Sequence, residues 1–521
     1  MPRYTGRALC VAGNYRNFKP GNAMNSNDFG NPDVIVIGAG NAACCAALAA
    51  RESGAQVIML EAAPIDDCGG NSRYTAGAVR IVFNGVDDLD QLYDLTDDEK
   101  KNSDFGTYTE DQYFDDMGRI TNFRTDPDLC EILVKKSFET MVWMRKKGVK
   151  FQPPYGRQAF KVDGRFKFWG GLAVETWGGG PGLIELEHKA CAREGIPIHY
   201  ETPAIGLITD DDGVKGVRAR SRGRTVDIRA RAVVLACGGF ESNAEMRARY
   251  LGPNWDLAKV RGTRYNTGVG ITAAIAAGAI PHGHWSGCHA VGWDQNAPPF
   301  GDLAVGDNFQ KHSYPLGIMV NATGERFVDE GADFRNYTYA KYGKVIMEQP
   351  NMFAWQIFDK KVLHMLRDEY RIKQMTKVSA NTLEDLVTKL EGVDARRCLE
   401  TLKAYNKAVQ TDVPFNPAIK DGRGTAGLAV PKTNWANVLD TPPFEAYAIT
   451  CGVTFTFGGV KIDPANGQVE DTAGKPMPGL FAAGELVGGL FYHNYAGGSG
   501  LVSGSVFGRL AGNGAGAAVK Q

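Results

Sequence analysis

The chain has 521 residues, of which 43% are hydrophobic and 22% charged, so it is long enough to bury a sizeable core in about two or three domains. This composition excludes an intrinsically disordered chain, a collagen and a small disulfide-stabilised scaffold. Lysine and arginine total 58 against 59 aspartate and glutamate residues, which gives a net charge of −1. The near balance predicts no nucleic-acid partner and no attraction to an anionic membrane.

Residues 1–32 contain basic residues but no continuous apolar stretch like that of a secretory signal. We interpret them as an appended arm and expect a cytoplasmic protein. The ten cysteines include no C-x-x-C pair, so we predict no zinc or iron–sulfur site. His282 and His284 form an H-x-H pair, but no carboxylate or further histidine has matching spacing, so we expect no metal there.

The stretch Val34 to Ala50 is the most apolar of the chain and nearly long enough to cross a membrane. Two glycines and Asn41 interrupt it. Its β-branched first half and alanine-rich second half are typical of a buried strand that leads into a helix. We therefore predict no transmembrane segment.

The turn between this strand and helix, Gly38 to Ala43, has the pattern G-x-G-x-x-A, and a second strand from Gln56 to Leu60 ends at Glu61. Such glycines permit close approach of the backbone to a pyrophosphate, and an acidic residue about 20 positions later binds a ribose hydroxyl. The pattern predicts a dinucleotide site with these cofactor residues: Gly38, Gly40, Asn41, Ala42 and Glu61. A second match, Gly268 to Ala273, follows a polar stretch and is interpreted as the start of an ordinary helix.

One such site is compatible with NAD or FAD, and three later segments bear on the choice. They are the polar loop at 69–72, a buried strand that begins at Ala232 and ends in glycines, and a short strand at 479–485 that precedes a glycine-opened terminal helix. A dinucleotide domain completed by the C-terminal segment suits a long, extended cofactor such as FAD.

At these positions the sequence resembles a known family, the flavoprotein subunits of fumarate reductase and succinate dehydrogenase together with the 3-ketosteroid dehydrogenases. The resemblance begins near Asp33 and rests on GGNS at 69–72, GERFVDEGADFRNYT at 324–338, and PGLFAAGELVGG, NYAGGSGL and FGRLAG near the C-terminus. Within the family, RFVDEGADFRNYTYAKYG and NY-x-GGSGL are most similar to FAD-dependent tricarballylate dehydrogenase.

The resemblance implies an α/β fold with a Rossmann-like FAD-binding domain in two segments, 33–282 and 451–521, and an inserted α+β capping domain at 283–450. It adds these cofactor residues: Gly69, Gly70, Asn71, Ser72, Ala236, Gly238, Gly484, Glu485, Gly500 and Leu501. We expect free N–H groups at the start of the last helix to face the flavin. The stretch GGNSRYTAGA lacks the histidine that membrane-bound relatives carry, so we predict noncovalent FAD.

Family chemistry interconverts a CH–CH and a C=C bond beside a carbonyl or carboxylate, with hydride moving between the β-carbon and flavin N5. Arg335 matches the arginine that donates the proton in fumarate reductases, with Asp329, Glu330 and Asp333 as nearby candidates for a proton relay. The alternative for Arg335 is a salt bridge in a surface loop. His289 lies roughly where those enzymes have a substrate-binding histidine, although a structural histidine is nearly as compatible.

The C-terminal site departs from the fumarate pattern, because Phe455 and Tyr495 stand where a histidine and an arginine hold a substrate carboxylate. Fumarate and succinate are therefore poor substrate candidates. Tyr495 resembles the tyrosine that polarises the ketone in ketosteroid enzymes, or else packs on the flavin. The same segment supplies further candidates for contact with the substrate: His493, Asn494 and Gly498.

We predict an FAD-dependent oxidoreductase similar to tricarballylate dehydrogenase that acts on a small organic acid or ketone. A ketosteroid dehydrogenase-like or fumarate reductase-like enzyme is the nearest alternative, and a flavin monooxygenase or a non-catalytic electron-transfer subunit stays open. Reoxidation requires a separate acceptor, either a quinone or an iron–sulfur or haem partner protein. Residues 85–125 are polar and acidic and are predicted to form a surface excursion.

Overall fold

A computed structural model of the protein describes residues 26–520. Most of the predicted arm, residues 1–25, lies outside the described residues. Ser26–Phe29 form a single helical turn, and the ring of Phe29 lies 4.7 Å from that of His199. No helix within residues 26–520 has the length and apolar character needed to cross a membrane.

Short strands and helices alternate along the chain. The strands are β1 Val34–Ile37, β2 Val57–Leu60, β3 Ala78–Val79, β4 Ser103–Asp104, β5 Phe151–Gln152, β6 Ala159–Val162, β7 Arg165–Phe168, β8 Val174–Thr176, β9 Ile198–His199, β10 Ala204–Asp210, β11 Gly213–Ser221, β12 Arg224–Arg229, β13 Ala232–Leu235, β14 Lys259–Val260, β15 Pro281–Asp294, β16 Ile318–Asn321, β17 Ala354–Phe358, β18 Lys377–Ala380, β19 Phe444–Val460, β20 Gln468–Glu470 and β21 Pro476–Ala482. The helices are α1 Asn41–Glu52, α2 Val86–Asp90, α3 Asp97–Asn102, α4 Glu110–Ile120, α5 Pro127–Lys146, α6 Tyr155–Gln158, α7 Gly179–Arg193, α8 Ala244–Leu251, α9 Val269–Ala276, α10 Tyr339–Met347, α11 Lys360–Leu363, α12 Leu383–Thr388, α13 Ala395–Ala408 and α14 Ser499–Ala518.

The first large sheet has six strands in the order β20-β21-β13-β1-β2-β9. β1 pairs in parallel with β2 and β13, and β13 pairs in parallel with β21. Their sequences are unbroken apolar runs, as expected for parallel strands covered on both faces. Because the strands are parallel, their carboxyl ends meet at one edge, which is where open α/β sheets bind ligands.

The second large sheet is organised around β19. This strand pairs antiparallel with β15, β17 and β18 and parallel with β14, and β16 extends the sheet beyond β17. The domain boundaries predicted at 282/283 and 450/451 fall inside β15 and β19, so both strands continue from one predicted domain into the other. The boundaries stay a prediction.

Helices α1 and α14 pack closely together, because glycines recur every fourth residue on one face of α14. A Cβ placed on Gly508 would stand 2.5 Å from the carbonyl oxygen of Ala42, and one on Gly512 would stand 2.2 Å from that of Ala46. Only glycine permits this approach of two backbones. The contact ties the helix that follows the dinucleotide turn to the last helix of the chain.

The prediction that residues 85–125 form a surface excursion is wrong. Tyr113 and Met117 on α4 are fully buried, and the Tyr113 hydroxyl donates a 3.1 Å hydrogen bond to the Ser499 hydroxyl at the start of α14. Tyr113 and Met117 are four positions apart and therefore share one face of α4. The many acidic residues around them hid this apolar face in the sequence.

Candidate active site

One large cavity of about 530 Å³ follows the carboxyl edge of the parallel sheet, and we call it the main cavity. Its volume is typical of ligand sites. It is lined by all the predicted cofactor residues except Gly69: Gly38, Gly40, Asn41, Ala42, Glu61, Gly70, Asn71, Ser72, Ala236, Gly238, Gly484, Glu485, Gly500 and Leu501. It is also lined by four of the predicted substrate residues: His289, Phe455, Tyr495 and Gly498. Stretches far apart in sequence thus converge on one space.

The glycine turn after β1 is packed tightly against neighbouring backbone. Gly38 has a φ of +113°, and a Cβ there would stand 2.4 Å from the carbonyl oxygen of Ala236 at the end of β13. A Cβ on Gly40 would stand 3.3 Å from the carbonyl oxygen of Gly69, so Gly69 shapes the turn without lining the cavity. The first N–H of α1, from Asn41, donates to the Ser72 hydroxyl over 3.2 Å. The turn and the GGNS loop therefore form one unit.

Glu61 lies at the end of β2 and lines the main cavity. One of its carboxylate oxygens accepts a 2.8 Å hydrogen bond from the N–H of Ala63. Burial raises the pKa of Glu61, while the surrounding backbone N–H groups oppose this rise. The side chain is therefore fixed in place at the position predicted for a ribose ligand.

A buried carboxyl pair lies beside the middle of the main cavity, and the sequence did not reveal it. Burial and the neighbouring Glu485 raise the pKa of Glu241 well above its usual range, and burial raises the pKa of Glu485 as well. Asn71 and Asn266 each donate a 2.6 Å hydrogen bond to Glu241. Two neighbouring buried carboxyl groups disfavour a negative charge on both at once, which favours the neutral form of Glu241.

Aromatic and cationic side chains line the far end of the main cavity. The ring of His289 stacks on Tyr495 at 4.6 Å and meets the edge of Tyr339 at 4.9 Å. His289 is buried, its Nε2 has no hydrogen-bond partner in the described part of the chain, and burial together with the charge of Arg261 lowers its pKa far below the usual range. A neutral imidazole thus faces the cavity. Sequence reasoning missed Arg261 and Tyr339, although Tyr339 directly follows the RNYT motif.

The hydroxyl of Tyr495 caps the N-terminus of the last helix, α14. Its oxygen accepts a 2.7 Å hydrogen bond from the N–H of Gly500. The prediction that the first N–H groups of α14 are free is therefore wrong for Gly500, because the tyrosine five residues earlier folds back over the helix end. The phenolic proton is left for another acceptor.

Two predicted substrate residues do not line the main cavity. His493 is exposed and its N–H donates to Nδ1 of His284 over 3.0 Å. Asn494 is buried, but its amide donates to the carbonyl oxygen of Tyr337 over 2.7 Å. The backbone of His493 and the side chain of Asn494 thus hold the loop before α14 in place.

Arg335 lines a separate, smaller cavity of about 80 Å³, which we call the arginine cavity. One guanidinium nitrogen donates a 3.0 Å hydrogen bond to the carbonyl oxygen of Arg157, and the guanidinium carbon stands 5.2 Å from the centre of the Trp169 ring. Burial and the like charge of Arg367 lower the pKa of Arg335 to about 9. The two cavities are neighbours, because the ring of His312, which lines the arginine cavity, lies 4.8 Å from the ring of Tyr339, which lines the main cavity.

None of the three carboxylates expected to relay a proton to Arg335 is hydrogen-bonded to it within the described residues, so that expectation is wrong. Glu330 is paired with Arg326. Asp333 is paired with Arg119 over 2.7 Å, and Asp329 accepts bonds from backbone N–H groups. Each is already satisfied by a partner of its own.

Comparison with known proteins identifies the family. The sequence profile described as the FAD binding domain matches residues 33–502. The chain belongs to the FAD binding domain family. The probable fumarate reductase Ifc3 of Shewanella frigidimarina is 29% identical over 493 residues, which cover 92% of this chain and 74% of that protein. The 3-oxosteroid 1-dehydrogenase of Mycobacterium tuberculosis is 25% identical over 572 residues, which cover 92% of this chain and 97% of that protein.

The solved structure of the open conformation of a flavocytochrome c3 fumarate reductase is similar to this fold. Its TM-score is 0.71 and its sequence identity 26%, over 94% of this chain and 79% of that one. The predicted resemblance to fumarate reductase flavoproteins and 3-ketosteroid dehydrogenases is confirmed. The α/β fold with an FAD-binding domain and a cap, FAD as the cofactor and the assignment as an FAD-dependent oxidoreductase are confirmed with it.

The residues of this FAD binding domain protein fit the cofactor. The start of α1 and the packed glycine turn present backbone N–H groups suited to a pyrophosphate, and Glu61 presents a carboxylate suited to a ribose hydroxyl. From there the cavity continues past Asn71 and Glu485 to the aromatic end at Tyr495. An extended dinucleotide therefore meets suitable groups along its whole length.

Proposed function

We propose that the protein interconverts a CH–CH and a C=C bond beside a carboxylate of a small organic acid, and that this acid is a tricarboxylate of the tricarballylate type. The observation that carries the proposal is the contact of Tyr339 with His312, because it places the aromatic end of the main cavity directly beside the cavity that contains Arg335. One bound substrate molecule can then lie next to both Arg335, which handles the proton, and the end of the main cavity where the flavin reacts.

FAD, when bound, supplies the hydride exchange with the substrate β-carbon. We assign the α-carbon proton to the guanidinium of Arg335. An arginine is normally fixed in its charged form, but burial and Arg367 bring the pKa of Arg335 to about 9, within reach of proton exchange. The ring of Trp169 lies 5.2 Å from the guanidinium carbon of Arg335.

Negative charge develops on the carboxylate or carbonyl oxygen as the α-proton leaves. We assign the Tyr495 hydroxyl to that oxygen, because the acceptor side of the hydroxyl is taken by Gly500 and its proton remains to be donated. Arg261, which is paired with Asp307 over 2.7 Å, and the unpartnered Nε2 of the neutral His289 line the same end of the cavity.

The charge of the lining favours an acid over a steroid. Three arginines, Arg157, Arg335 and Arg367, line the arginine cavity and suit a carboxylate. A ketosteroid-like activity is nevertheless the second candidate, because Tyr495 is oriented as a donor toward the main cavity. A fumarate reductase-like activity is the third, supported by the relatives that carry this name.

The proposal is tested by mixing the purified holoenzyme anaerobically with tricarballylate, succinate and a 3-ketosteroid and following the flavin absorbance. We expect bleaching by tricarballylate first, with reoxidation by a dye or quinone in place of the separate physiological acceptor. Bleaching by the steroid alone would support the second candidate. No bleaching by any substrate, or product formation that requires oxygen, would refute the dehydrogenase proposal in favour of an electron-transfer subunit or a monooxygenase.

A further inference from the structure

Four buried nitrogen atoms around the arginine cavity have no hydrogen-bond partner among residues 26–520. They are Nη1 of Arg157, Nε1 of Trp169, Nε2 of His312 and Nε of Arg335, and all four residues line this one cavity. Buried polar groups are almost always paired, since an unpaired one loses its hydration without compensation. Four in one place indicate a missing partner.

The unpartnered atoms are of one chemical kind. The arginine and tryptophan nitrogens only donate hydrogen bonds. His312 is fully buried and its pKa is lowered far below the usual range by burial and by the charges of Arg335, Arg261 and Arg367, so its ring is neutral and Nε2 donates in one tautomer. The group that satisfies all four is therefore rich in acceptors and has no need of donors.

The charges around the cavity leave an excess of positive charge. The carbonyl oxygen of Arg157 accepts 3.0 Å hydrogen bonds from both Arg335 and Arg367, which brings like charges together. Glu369 is paired with Arg367 over 2.7 Å. Glu175, the other nearby carboxyl, is hydrogen-bonded to Gln152 instead, and burial raises its pKa toward the neutral form. Within residues 26–520, the guanidinium groups of Arg157 and Arg335 are thus left without a bonded carboxylate.

The walls of the cavity are aromatic, and its volume is small. The Trp169 ring stacks with Phe334 at 5.4 Å and with Phe160 at 6.2 Å. The volume of about 80 Å³ is far smaller than that of the main cavity and is sufficient for one carboxylate group. A dry aromatic wall strengthens a charge-assisted hydrogen bond, because water no longer screens it.

We propose that the arginine cavity is the binding subsite for one carboxylate group of the substrate, held by Arg157, Trp169 and His312 beside Arg335. The subsite takes over the role of the carboxylate donors that are absent at Phe455 and Tyr495. It rests on the proposed function for the identity of the ligand as substrate, whereas the binding of the carboxylate itself requires no turnover.

The test measures binding of citrate to the oxidised holoenzyme by titration calorimetry. Citrate is a tricarboxylate whose central carbon carries no hydrogen, so it binds without being dehydrogenated. We expect Arg157→Gln to weaken citrate binding roughly ten- to a hundredfold and Trp169→Phe roughly fivefold, as charge-assisted and neutral hydrogen bonds respectively predict. Arg229→Gln and Trp177→Phe, at exposed positions outside both cavities, are the matched controls and leave the affinity unchanged.

A second measurement needs no variant. Trimethyl citrate has the same skeleton without negative charge, and we expect the wild-type enzyme to bind it at least tenfold more weakly than citrate. Equal affinity for both compounds, or unchanged citrate affinity in folded, flavin-loaded Arg157→Gln and Trp169→Phe, would overturn the subsite. Citrate binding that depends on Arg157, together with no bleaching by tricarballylate, would retain the subsite and reject the proposed reaction.

Discussion

The Tyr495 hydroxyl and the Gly500 N–H form a 2.7 Å hydrogen bond that closes the N-terminus of the last helix over the far end of the cofactor cavity. Tyr495→Phe removes the acceptor and leaves Gly500 unpaired, which costs about 0.5 to 1.5 kcal/mol of folding free energy. If the hydroxyl also holds the developing oxygen charge, flavin reduction by substrate slows about 10² to 10³-fold. Stopped-flow absorbance measures this rate.

The control for that variant is the rate at which electrons leave the reduced flavin. Flavin reduced by light in Tyr495→Phe is expected to reoxidise with a dye at the wild-type rate, since the hydroxyl acts only on the substrate. A wild-type rate of reduction by substrate in a folded variant would show that Tyr495 serves only to cap the helix.

Arg335 is expected to give the reaction a pH dependence of defined sign. Because burial and Arg367 lower its pKa to about 9, the protonated form is lost as the pH rises through about 9. Reduction of the C=C bond needs the protonated form, so its rate falls above about pH 9. Oxidation needs the neutral form, so its rate rises up to about pH 9. Initial rates of reduction and of oxidation, measured as a function of pH, test the two dependences.

Arg335→Lys is expected to lower both rates about 10² to 10⁴-fold, as for other general acid–base groups. The rate of flavin reoxidation by a dye and the FAD content of Arg335→Lys are expected to match the wild type and serve as the internal reference. If the variant retains wild-type rates and the same pH profile, the proton passes through another group, of which His289 and Tyr495 are the nearest in the main cavity.

Glu61 is expected to contribute more to the affinity for FAD than to the stability of the fold. Glu61→Ala removes a charged acceptor for a ribose hydroxyl, which contributes about 1.5 to 3 kcal/mol, so the FAD dissociation constant rises roughly ten- to a hundredfold. Fluorescence of released FAD measures it. Glu61→Gln keeps an acceptor for the Ala63 N–H. We expect its FAD dissociation constant to lie between those of the wild type and Glu61→Ala. Full occupancy of Glu61→Ala at low free FAD would exclude the ribose contact.

Gly38 and Gly54 offer a matched pair for testing the glycine turn. Both have positive φ, +113° and +89°, so alanine at either costs about 1 to 3 kcal/mol in backbone strain. Only at Gly38 does the new Cβ meet another backbone, the carbonyl oxygen of Ala236 at 2.4 Å. We expect Gly38→Ala to lose FAD and to unfold at a lower temperature than Gly54→Ala. Equal melting temperatures and equal FAD content would contradict the close approach.

Noncovalent attachment is checked by acid precipitation of the yellow holoenzyme. The segment 69–78 has no histidine, and we expect the colour in the supernatant. Flavin that stays in the pellet would indicate a covalent bond to another side chain.

The sequence predicted the cofactor end of the site better than the substrate end, for a physical reason. The turn at Gly38 and the carboxylate of Glu61 belong to one strand–helix–strand unit whose geometry is local, so spacing alone identified them. Arg157, in the short helix α6, and His312, in a loop, reach the arginine cavity from distant parts of the chain through packing that no spacing encodes. The glycines of the last helix were a visible signal for close packing that sequence reasoning passed over.

The fold of the last helix also sets an order of events during synthesis. α1, which follows the dinucleotide turn, is complete once residue 52 has been made, but its glycine-faced partner α14 begins only at residue 499. The parallel neighbour β21 is likewise made late. Contacts between such distant parts of a chain form slowly, because long loops have to close first. A nascent chain on the ribosome therefore exposes the unpaired face of α1 until α14 has been synthesised, and we expect FAD to be incorporated only after residue 518 has left the ribosome.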